Sequence, residues 1–149
     1  MDTDVYFKKI YTVAFRLTGD KKTACELASQ AILKFVGETD ANNKISDFIF
    51  KSAAMEVCRL FLEKHDTCLD ELNFDINIFN DSKDKVHEIQ EVLLSLEPVN
   101  RIIIIWKDIL GFQLYDLLSV TNTGRNELNA GLSHARMQIK QNVGRNLLF

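Results

Sequence analysis

The stretch QLYDLLSVTNTGRNELNAGLSHARMQI, residues 113 to 139, decides the reading of the fold. A short segment, Gln113 to Val120, leads through Thr121-Asn122-Thr123-Gly124 into a series in which Leu128, Leu132, Ala135 and Ile139 fall on one helical face. Asn122 suits a tight turn, because after glycine it is the residue that best tolerates a left-handed backbone. Helix, tight turn, helix is the helix-turn-helix pattern in outline. Arg125, Asn126, Asn129 and Ser133 lie three and four apart, opposite the Leu128, Leu132, Ala135 face, and so share an outward stripe.

Upstream of this stretch, Val86, Ile89, Val92, Leu93 and Leu96 predict a helix that Pro98 ends by restricting Glu97. Asn100 is then expected to cap a helix from Arg101 to Leu110, which Gly111 stops after about three turns. In the first part of the chain Ile10, Val13, Ala14 and Leu17 recur at helical spacing until Gly19, and Asp20 can cap the next start. Ala24, Leu27, Ala28, Ala31 and Phe35 predict a second helix, Lys21 to Val36, closed by Gly37. Ile45, Ile49, Ala53, Val57 and Phe61 mark a third, ending near Lys64. Between them, residues 66–84 lose the periodicity and crowd acidic residues around scattered apolar ones, which predicts a linker lying along one of the domains.

The whole chain has 149 residues, 46% apolar and 26% charged, the range of soluble globular proteins. One proline and six glycines leave few breakers and favour long helices. Residues 1–65 carry ten Lys and Arg against nine Asp and Glu, 66–84 one against six, and 85–149 seven against six. Neither end block has the basic excess that by itself announces nucleic-acid binding, so any DNA contact must rest on local geometry. The longest strongly apolar run, Ile102 to Trp106, is too short for a membrane span, and the start lacks a basic leader region. A cytoplasmic protein without membrane insertion is the expectation. Cys25, Cys58 and Cys68 are an odd set at irregular spacing and are read as reduced.

Catalytic and metal chemistry finds little support in the residues. Cys58, His65 and Cys68 offer too few ligands for a structural zinc site, and neither a phosphate-cradling glycine loop nor a nucleophile elbow nor HExxH is present. No enzyme activity, cofactor or metal is therefore expected, and His87 and His134 read as surface histidines.

Two further stretches are informative. Ala14-Phe15-Arg16-Leu17-Thr18-Gly19-Asp20, followed by Ala24-Cys25-Glu26-Leu27-Ala28-Ser29-Gln30, resembles the start of the promoter-melting domain of extracytoplasmic-function sigma factors of the sigma-70 family. Leu94-Ser95-Leu96-Glu97-Pro98, Asp108-Ile109-Leu110-Gly111-Phe112 and Leu132-Ser133-His134-Ala135-Arg136 resemble the C-terminal helix-turn-helix domain of the same family. From Gly111 to Arg136 the pattern aligns without a gap, and residues 66–84 fall where the family has its linker. The resemblance is that of a divergent member. Where the third helix of the family commonly carries Asn and Asp, this chain has Met55 and Arg59, and its basic run is reduced to Glu63-Lys64-His65. Positions that are commonly basic in the final helix are occupied by Asn129, Gly131 and His134.

The resemblance implies an all-α protein of two small helical domains joined by an acidic linker: a region 2-like domain over 1–65, the linker over 66–84, and a region 4-like helix-turn-helix domain over 85–149. It implies a transcription initiation protein that binds core RNA polymerase and directs it to promoter DNA, with an anti-sigma or other regulatory protein as a further partner. The polymerase face would comprise Glu26, Leu27, Gln30 and Lys34, although Leu27 equally fits a core position. In the C-terminal domain Arg125 could pair with guanine, Asn126 or Asn129 with adenine, and Arg136 with phosphate, Ser133 completing the stripe. On the third helix Phe48 or Phe50 could stack on an unpaired base while Lys51 and Arg59 hold phosphates. Two other readings fit the same residues: a degenerate sigma-like interaction module without promoter recognition, and a regulator that uses the helix-turn-helix alone.

Overall fold

The computed structural model describes residues 1–37, 44–67 and 85–147, without the side chains of 65–67, 85–88 and 143–147. The described residues form helices and no strands, and they divide into two compact units, Met1–Glu63 and Lys64–Phe149.

The first unit contains α1 (Thr3–Thr18), α2 (Lys21–Lys34) and all but the last four residues of α3 (Asp47–Thr67). Gly19 ends α1 in the left-handed conformation, φ 69°, its N–H donating to the Phe15 carbonyl at 2.8 Å. One residue later Asp20 starts α2, its carboxylate accepting from the Thr23 backbone N–H at 3.0 Å and from the Thr23 hydroxyl at 2.6 Å. Only Gly19 separates this cap from α1, so α1 and α2 pack tightly against each other. Ala14, Ala24, Ala28 and Ala31 are all buried, and their small side chains let the two backbones approach. Ile49, Ala53, Val57 and Phe61 turn the apolar face of α3 into the same core, with Cys58 wholly buried beside them. Burial pushes the Cys58 thiol up to about 12. The second helix stops at Lys34 rather than at Val36. Val36 is exposed, and Gly37 sits in the turn that follows with φ 94°.

The second unit contains α4 (Lys85–Ser95), α5 (Pro98–Ile104), α6 (Leu118–Thr121) and α7 (Arg125–Leu147). Pro98 both separates α4 from α5 and begins α5. Its ring presets a helical φ and its missing N–H is no loss in the first turn. The expected cap at Asn100 is therefore not formed, and Asn100 lies inside the helix. α5 continues into a π-helical turn, Ile105–Ile109, and closes with the Phe112 N–H on the Trp106 carbonyl at 3.0 Å, around Gly111 at φ 75°. Ile102, Ile103, Ile104, Ile105 and Trp106 are all buried, which makes this helix the centre of the unit rather than one amphipathic face. The Trp106 indole N–H donates to the Gln113 carbonyl at 3.0 Å and so fixes the start of the next segment.

Arg101 joins α4 to α5. Its guanidinium donates to the carbonyls of Leu93, Leu94 and Leu96 at 2.9, 3.2 and 3.0 Å, satisfying the end of α4 from inside the core. Burial pulls its pKa down to about 10, which leaves it charged at neutral pH. Ile89, expected on the apolar face of α4, is exposed instead, while Val92, Leu93 and Leu96 are buried.

Candidate nucleic-acid interface

The segment before the turn is a 3-10 turn, Leu114–Leu117, that runs directly into α6. Leu114 and Leu117 are buried and anchor it, and the next turn holds Asn122 at φ 55°, ψ 28°. Thr121 and Thr123 bracket that residue with their hydroxyls 2.7 Å apart. α7 then starts at Arg125 and buries Leu128, Leu132 and Ala135. The exposed arc next to this face carries Arg125, Asn126, Asn129, Ser133 and Arg136. The helical period alone separates these two sets.

Three of these exposed side chains are held by groups that spacing does not reveal. The Arg125 guanidinium lies over the Tyr115 ring, 4.8 Å from its centroid. Asn129 donates through Nδ2 to the Tyr115 hydroxyl at 3.2 Å. Arg136 donates to both carboxylate oxygens of Asp108, at 3.0 and 2.6 Å. That contact holds the Asp108 carboxyl below its ordinary value and the guanidinium above its own. Arg136, expected on a phosphate, therefore has its charge matched within the protein.

Gly131 is a position in α7 with little room for a side chain. It faces α5, where a Cβ would stand 2.8 Å from Asn100 Oδ1 and 2.9 Å from Ile103 Cδ1. Any side chain at this position would have to displace the ends of Asn100 and Ile103.

In the first unit the residues expected on the polymerase face separate by burial. Glu26 and Gln30 are exposed on α2, whereas Leu27 is only 3% exposed and serves the core, as its position in the apolar series requires. Lys34 donates to Glu56 Oε2 at 3.0 Å. Arg59 reaches the same carboxylate, through Nε at 3.1 Å and through a second nitrogen, and also pairs with Glu63. Glu56 is buried, and the hydrogen bond from Arg59, with that from Lys34 in support, holds its carboxyl below the ordinary range against the opposing effect of burial. Arg59 is thus committed to two carboxylates. Lys51 is half-buried on α3 and Phe50 is buried under the Lys9 ammonium, whereas Phe48 is 73% exposed. Of the two phenylalanines, Phe48 is the one at the surface.

The sequence assigns no pairing role to Asp108, Tyr115 or Glu56. Glu56 could have been found from its position three before Arg59 on one helix. Tyr115 and Asp108 lie 14 and 28 residues from their partners and leave no such signal. Among the described residues no group of His, Cys, Asp and Glu could hold a metal ion, and no helix is long and apolar enough to cross a membrane. Cys68 and most of the acidic segment lie outside the described residues.

No protein-family model and no curated protein sequence matches the chain. Among solved structures, the fold is similar to that of the sigma factor RpoE in its co-crystal with the anti-sigma factor NepR from Bartonella quintana. The TM-score is 0.63 at 13% sequence identity, and the match covers 94% of this chain and 92% of that chain. The likeness establishes an all-α fold of the sigma-factor kind across nearly the whole chain.

Proposed function

We propose that this chain is a sigma-factor-like transcription initiation protein that binds core RNA polymerase and directs it to promoter DNA, without catalysis of its own. The observation that carries the reading is the likeness to a sigma factor over 94% of the chain, which spans both units. A helix-turn-helix shared with many regulators would account for the second unit alone. In this reading 1–65 is the region 2-like domain, 66–84 the linker and 85–149 the region 4-like domain. Glu26 and Gln30 face the polymerase, and Arg125, Asn126, Asn129 and Ser133 face the major groove. Lys51 meets phosphate in the first unit, with Phe48 available to stack. The solved neighbour is bound to an anti-sigma factor, which supports a regulatory protein of that kind as a partner here. Co-purification of the full chain with core RNA polymerase tests the reading, and its absence would sink it.

A second reading is favoured by the charge pairing. Arg136 is neutralised by Asp108, and Arg59 by Glu56 and Glu63, so two of the cations expected on DNA are already satisfied. A sigma-like interaction module that binds polymerase or a regulator but does not select promoters fits that pairing. Enrichment of a DNA sequence by the chain with polymerase separates the two readings.

A further inference from the structure

Tyr115 is 43% exposed, a large ring left at the surface between two leucines whose burial fixes its backbone. It touches two side chains of the helix that follows the turn. The face of the ring carries Arg125, 4.8 Å away, and the hydroxyl accepts from Asn129 at 3.2 Å. Arg125 and Asn129 are one helical turn apart, so a single rigid side chain restrains both.

The chemistry left over by these contacts is specific. This contact is to a ring and not to an acceptor oxygen, so N–H groups of Arg125 remain to donate as a pair to guanine O6 and N7. Asn129 gives one Nδ2 hydrogen to Tyr115 and retains the other together with Oδ1. That is the donor and acceptor pair complementary to adenine N7 and N6. Four residues of helix rise about 6 Å, close to two base-pair steps of roughly 3.4 Å each.

We propose that Tyr115 is a specificity-determining positioning residue, holding Arg125 and Asn129 as one array that reads a guanine and an adenine about two base-pair steps apart in the major groove. The proposal rests on the sigma-like reading above. Free arginine and asparagine side chains would lose rotamer entropy on meeting bases; here Tyr115 imposes that order beforehand.

The test is selection from a randomised duplex pool by the full chain with core polymerase, using wild type, Tyr115→Phe, Tyr115→Ala and Arg125→Ala. Tyr115→Phe keeps the ring and removes the hydroxyl, so preference at the adenine position should fall about tenfold while the guanine position holds. Tyr115→Ala should relax both positions, with non-specific duplex affinity and melting temperature near wild type. If both variants keep the wild-type preferences while Arg125→Ala erases the guanine, the proposal fails and the sigma-like reading stands. A uniform loss of affinity for every sequence in Tyr115→Phe would mark a structural role only and would also overturn it. No enrichment by wild type overturns the proposal as well, and failure to bind polymerase in addition overturns the parent reading.

Discussion

Arg136 and Asp108, 28 residues apart in sequence, meet in a two-pronged ion pair that joins α7 to the π-helical turn after α5, at 3.0 and 2.6 Å. The pair places a carboxylate on the only cation among the side chains expected to face DNA from the later turns of α7. It thereby sets how strongly this face is drawn to a polyanion. Asp108→Asn removes the negative charge and keeps the shape. Non-specific duplex affinity should rise, and the dependence of log affinity on log salt should steepen by about 0.9, the contribution of one further neutralised phosphate. A salt titration between low and physiological ionic strength checks this. An unchanged slope would mean that Arg136 stays off the DNA.

The polymerase face is probed at Glu26 and Gln30. Reversing charge with Glu26→Lys, together with Gln30→Ala, should weaken pull-down of core polymerase while changing stability by no more than about 0.5 kcal/mol. Lys34 is unsuitable for such reversal, since Lys34→Glu would set a second carboxylate against Glu56, 3.0 Å from the present ammonium. Unchanged pull-down by the folded double variant would remove these residues from the face.

Glu56 gives the first unit a pH dependence of known sign. Its folded pKa lies below the ordinary 4.5, chiefly through the hydrogen bond from Arg59. The stabilisation it contributes is therefore complete above that ordinary value and is lost as pH falls through the lowered folded value. Glu56→Gln should cost roughly 1–3 kcal/mol near neutral pH, and the gap to wild type should close in acid. Melting curves of both proteins across this range provide the check, and a gap that widens in acid would contradict the assignment.

Gly131→Ala sets helix propensity against packing. Alanine is favoured over glycine in a helix interior by about 1 kcal/mol. The added methyl would stand 2.8 Å from Asn100 Oδ1 and 2.9 Å from the tip of buried Ile103, and overpacking of that kind costs about 1–3 kcal/mol. Net destabilisation is expected, and Gly131→Arg should be far worse. A raised melting temperature in Gly131→Ala would show that α5 and α7 have slack at this crossing.

Cys25 and Cys58 should differ sharply towards an alkylating reagent. Cys25 is exposed on α2, while Cys58 is wholly buried with its thiol raised to about 12, far from the reactive thiolate. Peptide mass spectrometry after iodoacetamide treatment should find Cys25 modified in the native protein, and Cys58 modified only after denaturation. Labelling of Cys58 at the same rate would mean that the first unit opens readily.

The helices and most of their ends are legible in local signals of the chain. Apolar residues at three and four apart, Gly19 and Gly111 after helices, Asp20 before one and Asn122 in the turn are local signals, and each acts through its own few residues. The same periodicity settled which side of α7 is buried, because Leu128, Leu132 and Ala135 leave Arg125, Asn126, Asn129 and Ser133 nowhere to go but outward. It could not distinguish an exposed side chain from an exposed and partnered one. Tyr115 under Arg125, Asp108 against Arg136, Glu56 between Lys34 and Arg59, and Gly131 against Asn100 were decided by tertiary packing. All but the Glu56–Arg59 pair join residues 10 or more positions apart in sequence. The energy of each contact depends on a distance that only the packed helices set, so it leaves no trace in spacing or composition.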